Sequence, residues 1–165
     1  VIKNTIFRTK GGRQFFGQML HTPTTAGNDA NFIHPRRVLK VGKRCLLQAG
    51  EVINTGDGTF LVLEHSEAKD YRLHKLVQLD RKSAVTRSVV LKDPLTGLDK
   101  KSTDTLVGTI DCVFEFLGQT DDLQVAVDGY RVVTDFPLQL NDKLDGRYTV
   151  RNVERMLGAY VATVR

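Results

Sequence analysis

The chain has no tryptophan, only two cysteines among its 165 residues, four prolines and two methionines. Cys45 and Cys112 each sit in an apolar stretch with no Cys or His at zinc-ligand spacing, which excludes a cysteine-built metal site and leaves two buried free thiols as the expectation. No apolar run approaches the ~20 residues a membrane helix requires. The first residues, "VIKNTIFRTKGG", lack the apolar core of a secretory signal, and the leading Val fits removal of an initiator Met, so synthesis in the cytoplasm is expected. Aromatic residues make up 7% of the chain, too few for a surface of base-stacking platforms.

Catalytic signatures are missing as well. The chain has no Gly-x-Ser-x-Gly elbow, no phosphate-binding glycine loop and no dinucleotide fingerprint. His21, His34, His65 and His74 are scattered, with no i, i+4 pair, and Asp121-Asp122 lies in "GQTDDLQV", where a turn explains it. The expectation is a protein without catalytic residues, metal or cofactor.

What is present is a soluble composition, 41% hydrophobic and 26% charged, with a net charge of +5. A chain of this length buries roughly 70% of its unfolded surface, enough for one compact core, and two full domains would be cramped. The charge is split: residues 1–50 carry nine basic side chains against Asp29, a balance of +8, whereas residues 92–145 carry five basic and eleven acidic ones, a balance of −6. Opposite surfaces of this kind can register copies of one chain front to back. Nucleic acid is the competing partner for the basic front, where Arg36, Arg37, Lys40, Lys43 and Arg44 cluster.

Alternation at period two recurs after residue 42, which predicts an all-β chain, a small β-barrel or sandwich at residues 43–165. Between Leu106 and Phe116 the even positions form an apolar file, the clearest core strand. Tyr71, Leu73, Val77 and Leu79 form a second file, but "SEAKDYRLHKLVQLDRK" also places Leu73, Leu76 and Val77 on one helical face, so residues 66–82 are compatible with strand or helix. One phrase occurs twice 88 positions apart, Asp-Gly-x-aromatic-x-Val, at Asp57 and at Asp145. Both read as hairpin turns opening a strand, since Gly tolerates the positive φ of tight hairpins. They are two comparable hairpins of one barrel or a chance convergence on a common formula. After the first turn Phe60 and Val62 alternate with Leu61 and Leu63, so both faces need cover, from the chain itself or from a partner.

Two segments stand apart. "KDPLTGLDKKST", residues 92–103, reads as a long projecting hairpin loop, with Asp93, Pro94, Leu95, Thr96, Gly97 and Leu98 as contact residues. Residues 1–42 read as a hairpin and extended arm, in which Phe7, Phe15, Phe16, Met19 and Leu20 are too apolar for a solvated tail and are expected to lie on another surface, a neighbouring subunit among the candidates.

In order, "GDGTFLVLEHSEAKDYRLHKLVQLDRKSAVTRSVV", "DPLTGL" and "TLVGTIDCVFEF" give the chain a layout that resembles the head-to-tail joining proteins of tailed bacteriophages, the neck, collar, stopper or head-completion components. The resemblance covers roughly residues 43–117, with an echo in "NDKLDGRYTVRNVERM". It implies a small β-barrel assembled as a ring of six or twelve copies in the neck of the virion, surrounding the DNA channel. The implied partners are further copies of itself, a portal or adaptor protein, a tail or tail-terminator protein and, non-specifically, the packaged DNA, with no membrane. The alternative function is an OB-like or SH3-like nucleic-acid-binding module.

Overall fold

The computed structural model describes residues 4–21, 37–117 and 129–165, and among them regular structure is entirely β. The first six strands are β1 (Thr5–Thr9), β2 (Gln14–His21), β3 (Arg37–Gly42), β4 (Val52–Thr55), β5 (Gly58–Glu67) and β6 (Tyr71–Leu79). The second six are β7 (Arg81–Lys92), β8 (Asp99–Leu117), β9 (Gly129–Thr134), β10 (Lys143–Leu144), β11 (Tyr148–Met156) and β12 (Ala159–Val164).

The strands close into two barrels, ordered β1-β2-β3-β6-β5-β4 and β10-β11-β12-β9-β8-β7, with every pairing antiparallel. Shifting each strand of the first barrel six places along the chain reproduces each pairing of the second. The repeated phrase falls at the same point of both, between the fourth and fifth strands of each barrel.

Each barrel has its own interior. Phe7 and Phe15 stack in the first, with ring centroids 5.6 Å apart, over Leu39, Ile53, Phe60 and Leu76. Val85, Ile110, Cys112, Val132, Leu144 and Val150 fill the second. A third apolar layer lies between the barrels, where Val52, Leu61, Leu63, Val77 and Leu79 pack on Val113, Val133, Ala159 and Val161. Here the backbones also touch. A Cβ on Gly158, whose φ is +79°, would sit 2.4 Å from the carbonyl carbon of Ala49. Lys10 adds an ion pair to Asp135 across the same boundary, at 2.7 Å.

This architecture corrects two expectations and settles one left open. Residues 5–21 and 37–42 are not an arm, because β1, β2 and β3 complete the first barrel; residues 22–36, the rest of the expected arm, lie outside the described residues. The boundary expected at residue 42 falls instead at Asp80, between two small barrels that share a layer; the shared layer supplies the burial that two separate domains of this size would lack. Residues 66–82, compatible with strand or helix, hold the end of β5, all of β6 and the start of β7.

Candidate functional site

The two first hairpins of the barrels differ most. In the first barrel, β1 and β2 are joined by a turn at residues 10–13. In the second, β7 and β8 stay paired from Arg81 opposite Cys112 out to Lys92 opposite Asp99. The barrel uses only the base of this ladder, since β10 meets β7 at Val85 and Thr86 and β9 meets β8 from Cys112 onward. The rest is a two-stranded ribbon. From Ser88 to Val107 the described side chains are exposed, apart from half-buried Asp93.

The ribbon ends in a tight turn. Asp93 N–H donates to the Leu98 carbonyl and Gly97 N–H to the Asp93 carbonyl, both at 2.8 Å, while Asp93 Oδ1 accepts from Leu95 N–H at 2.9 Å. Gly97 takes φ +66°, which an L side chain rarely adopts. This places Leu95 and Leu98 at the tip, 94% and 70% exposed. The expected loop at residues 92–103 is therefore shorter, because cross-strand pairing continues to Lys92 and Asp99 and leaves residues 93–98 as the turn.

Ion pairs fix the ribbon's base. Arg87 grips Asp142 through two bonds, Nε to Oδ1 at 2.7 Å and Nη2 to Oδ2 at 2.8 Å, and the buried carboxylate also accepts Gln139 N–H at 2.8 Å. Lys143 Nζ donates to Asp104 Oδ2 at 2.7 Å and Ser88 Oγ to its Oδ1 at 2.5 Å; these two bonds hold the Asp104 carboxyl below its ordinary range.

The titratable groups elsewhere are mostly tied into structure. Asp145, at φ +54° in the β10–β11 turn, accepts from Ala84 N–H, Arg81 Nη2 and Ser83 Oγ at 2.9, 2.7 and 3.1 Å. Burial pushes its carboxyl up, and the bonds outweigh that and hold it low. Arg81 in turn lies over the Phe114 ring, 4.1 Å from its centroid, beside Tyr148 and Tyr130. Cys112 is in reach of Ser83 Oγ at 3.5 Å, but burial raises its pKa, the opposite of an activated thiol. His74 points into the first barrel with no hydrogen-bond partner for either ring nitrogen. Burial, then His65 with its ring 5.1 Å away, then Arg72 lower its pKa to about 4, so it is neutral at pH 7. Among the described residues no group of three or more His, Cys, Asp or Glu is placed to hold a metal ion.

The residues singled out from the sequence scatter. Asp93, Pro94, Leu95, Thr96, Gly97 and Leu98 form the ribbon tip. Phe7 and Phe15 are buried in their own barrel and are unavailable to a neighbour. Phe16, opposite Ile6 on the outer face, is exposed, and Met19 and Leu20 are half-buried. Leu61 and Leu63 are covered by the second barrel, not by a partner, because β5 offers one face to each apolar layer. In the basic cluster Lys40 lies over Tyr71 at 4.3 Å, Lys43 Nζ donates to the Lys69 carbonyl at 3.4 Å, Arg37 is half-buried, Arg44 is exposed, and Arg36 is outside the described residues.

Part of the acidic charge is paired inside the molecule. In residues 92–145 Asp104, Glu115, Asp135, Asp142 and Asp145 each pair with a cation of the same chain, and Asp135 takes its partner, Lys10, from the basic front. Sequence reasoning missed Val89, Val90, Leu91, Leu106 and Val107 as surface residues. Leu106 was expected in the core file, but the register shifts at Thr86, where Val107 is the extra residue, and the strand leaves the barrel there. The uninterrupted run Val89-Val90-Leu91, apolar on both faces, was the signal.

No protein-family model matches the chain, and no curated protein or solved structure matches it.

Proposed function

We propose that this chain is a structural protein of a tailed bacteriophage virion that forms a ring at the head-to-tail interface, joining portal to tail around the DNA channel. The observation that carries this reading is the β7–β8 ribbon, where Val89, Val90, Leu91, Leu95, Leu98 and Leu106 are exposed, with no cover from the other described residues. Two strands alone are marginally stable in water, so a ribbon this apolar is made to be covered by a neighbour. The ionisable groups that could do chemistry are instead bonded into turns and strand bases, as at Asp142 and Asp145. The chain then works by adhesion and shape, without catalysis. The phage setting comes from the layout of residues 43–117, the part that contains the ribbon.

The exposed Ile6–Phe16 pair gives the first barrel an apolar surface of its own, and two unlike surfaces on one chain suit a heterologous contact that closes into a ring. The axial neighbours are a portal or adaptor protein on one side and a tail or tail-terminator protein on the other. Light scattering and negative-stain imaging of purified protein test the reading: rings are expected, and a tight monomer at high concentration that binds neither portal nor tail overturns it.

A further inference from the structure

Barrel closure removes strand edges, so the edges that survive are informative. The longest among the described residues is on β8, where residues 99–111 have no partner on the side away from β7. Across the ribbon, residues 87–92 of β7 are open in the same way. Other open stretches carry the charges that keep edges from pairing: residues 64–67 of β5 read "EHSE" and residues 151–156 of β11 read "RNVERM". Residues 88–91 of β7 read "SVVL", with no charge.

The ribbon's two edges differ in sign. All the charged side chains of β7 are basic, Arg81, Lys82, Arg87 and Lys92. On β8 the acids are Asp99, Asp104, Asp111 and Glu115, against Lys100 and Lys101. Within the open stretches the β7 edge carries Arg87 and Lys92 and no acid, with Arg87 held by Asp142, whereas the β8 edge carries Asp99, Asp104 and Asp111 against Lys100 and Lys101; Lys92 stands opposite Asp99 near the tip. Two β7 edges brought together would set like charges side by side, whereas β7 against β8 sets unlike ones.

We infer that neighbouring copies of this chain join ribbon to ribbon, the open β8 edge of one copy pairing antiparallel with the open β7 edge of the next. The inference rests on the ring reading above and supplies its mode of contact. Ribbons related by rotation about a ring axis point the same way, so each junction between copies has the antiparallel sense of the hairpin itself. Each copy then contributes two strands to one continuous sheet. Val90 and Leu106 lie on one face of the ribbon and Val89 and Leu91 on the other, so a sheet built this way gathers the apolar side chains of every copy into two continuous bands.

The test uses the full chain. In wild-type protein, hydrogen exchange of amides in residues 88–91 and 102–107 is compared between dilute monomer and assembled protein; new protection confined to these stretches is expected, and unchanged exchange in assembled protein overturns the inference. A shortened chain, with residues 89–103 replaced by Asn-Gly, keeps both barrels and should lose assembly. Two charge variants complete the set, Lys92→Glu and Asp99→Lys, both within the open stretches. Each alone should weaken assembly by about tenfold or more, and an equimolar mixture should return it to within about threefold of wild type, because only the mixture restores unlike edges at every junction. A mixture that stays monomeric, or rings that persist in the shortened chain, removes edge pairing and leaves the ring reading standing. Wild-type protein that forms no rings removes the ring reading itself.

Discussion

The two barrels use one strand order and one turn phrase, yet the phrase does different work in each. In the first barrel Gly56 and Asp57 form a two-residue turn between Thr55 and Gly58, and Asp57 bonds through its backbone, its N–H donating to Thr55 Oγ1 at 3.1 Å. In the second, Asp145, just past the end of β10, reaches the adjoining start of β7 directly and ties it down at three points. The first hairpins diverge in the same direction, short in one barrel and drawn out into the ribbon in the other. A repeated topology thus separates duties: the first barrel buries its side chains and offers a wide face to the second, and the second anchors a projecting element with charge pairs at its base. The carboxylate at Asp145 and the Arg87–Asp142 pair are the reinforcements such a lever requires, and the first barrel, without a ribbon, has no counterpart among its described ion pairs to a carboxylate as deeply buried as Asp142.

The comparison breaks most severely where the barrels meet. Gly158→Ala forces a side chain into positive φ and against the backbone of Ala49, and Leu61→Ala opens a cavity in the shared layer; each should cost about 2–5 kcal/mol in urea unfolding. If the layer unites the barrels, both variants lower the midpoint of a single transition, and a second transition appearing in either would show the barrels to be independent.

Next in size is a pH response confined to the first barrel. His74 titrates at about 4 in the folded chain against 6.5 unfolded, so the unfolded state binds more protons between these values. Its contribution is complete above about pH 6.5, is lost as pH falls toward 4 and is flat below; the loss is of order 3 kcal/mol. His74→Leu removes the two unsatisfied nitrogens and should flatten this part of the stability profile, which chemical denaturation at a series of pH values measures. A variant as pH-sensitive as wild type between pH 4 and 6.5 would place the response elsewhere.

The repeated turn gives the most direct contrast. Asp145→Ala should cost about 2 kcal/mol, since three donors lose a charged acceptor, whereas Asp57→Ala should cost under about 0.5 kcal/mol. Equal losses in thermal unfolding would mean that the turn itself, not the carboxylate, matters. The smallest effect is expected at the ribbon tip. Leu95→Ser with Leu98→Ser should leave the stability of the monomer within about 0.5 kcal/mol of wild type, because both side chains are already in water.

Much of the fold was legible in strand periodicity. Ile110 and Cys112 alternate as their sequence demands, and Phe60 with Leu61 announced a strand covered on both faces. The identity of the cover was not legible, because local alternation records that a face is dry and not what dries it. Phe7 and Phe15 were misjudged for the same reason: in a segment followed by "HTPTTAGNDANF", apolar residues read as an arm until the long-range pairing of β1 with β4 closes the barrel over them. The candidate site was half legible. Pro94 and Gly97 punctuate the turn, but Leu106 continued the core file without a break, and only the register shift at Thr86 shows that the strand has left the barrel by then.

By itself the sequence determined the all-β class, the positions of the Asp-Gly turns and the tip of the projecting hairpin, since backbone preference and two-residue alternation act within a few neighbours. Tertiary structure alone decided that the strands close twice rather than once, that Leu61 and Leu63 face a second barrel, and that Asp104, Glu115, Asp135, Asp142 and Asp145 pair with cations of the same chain. Those outcomes depend on contacts between residues far apart in sequence, and no local pattern carries the geometry of such contacts.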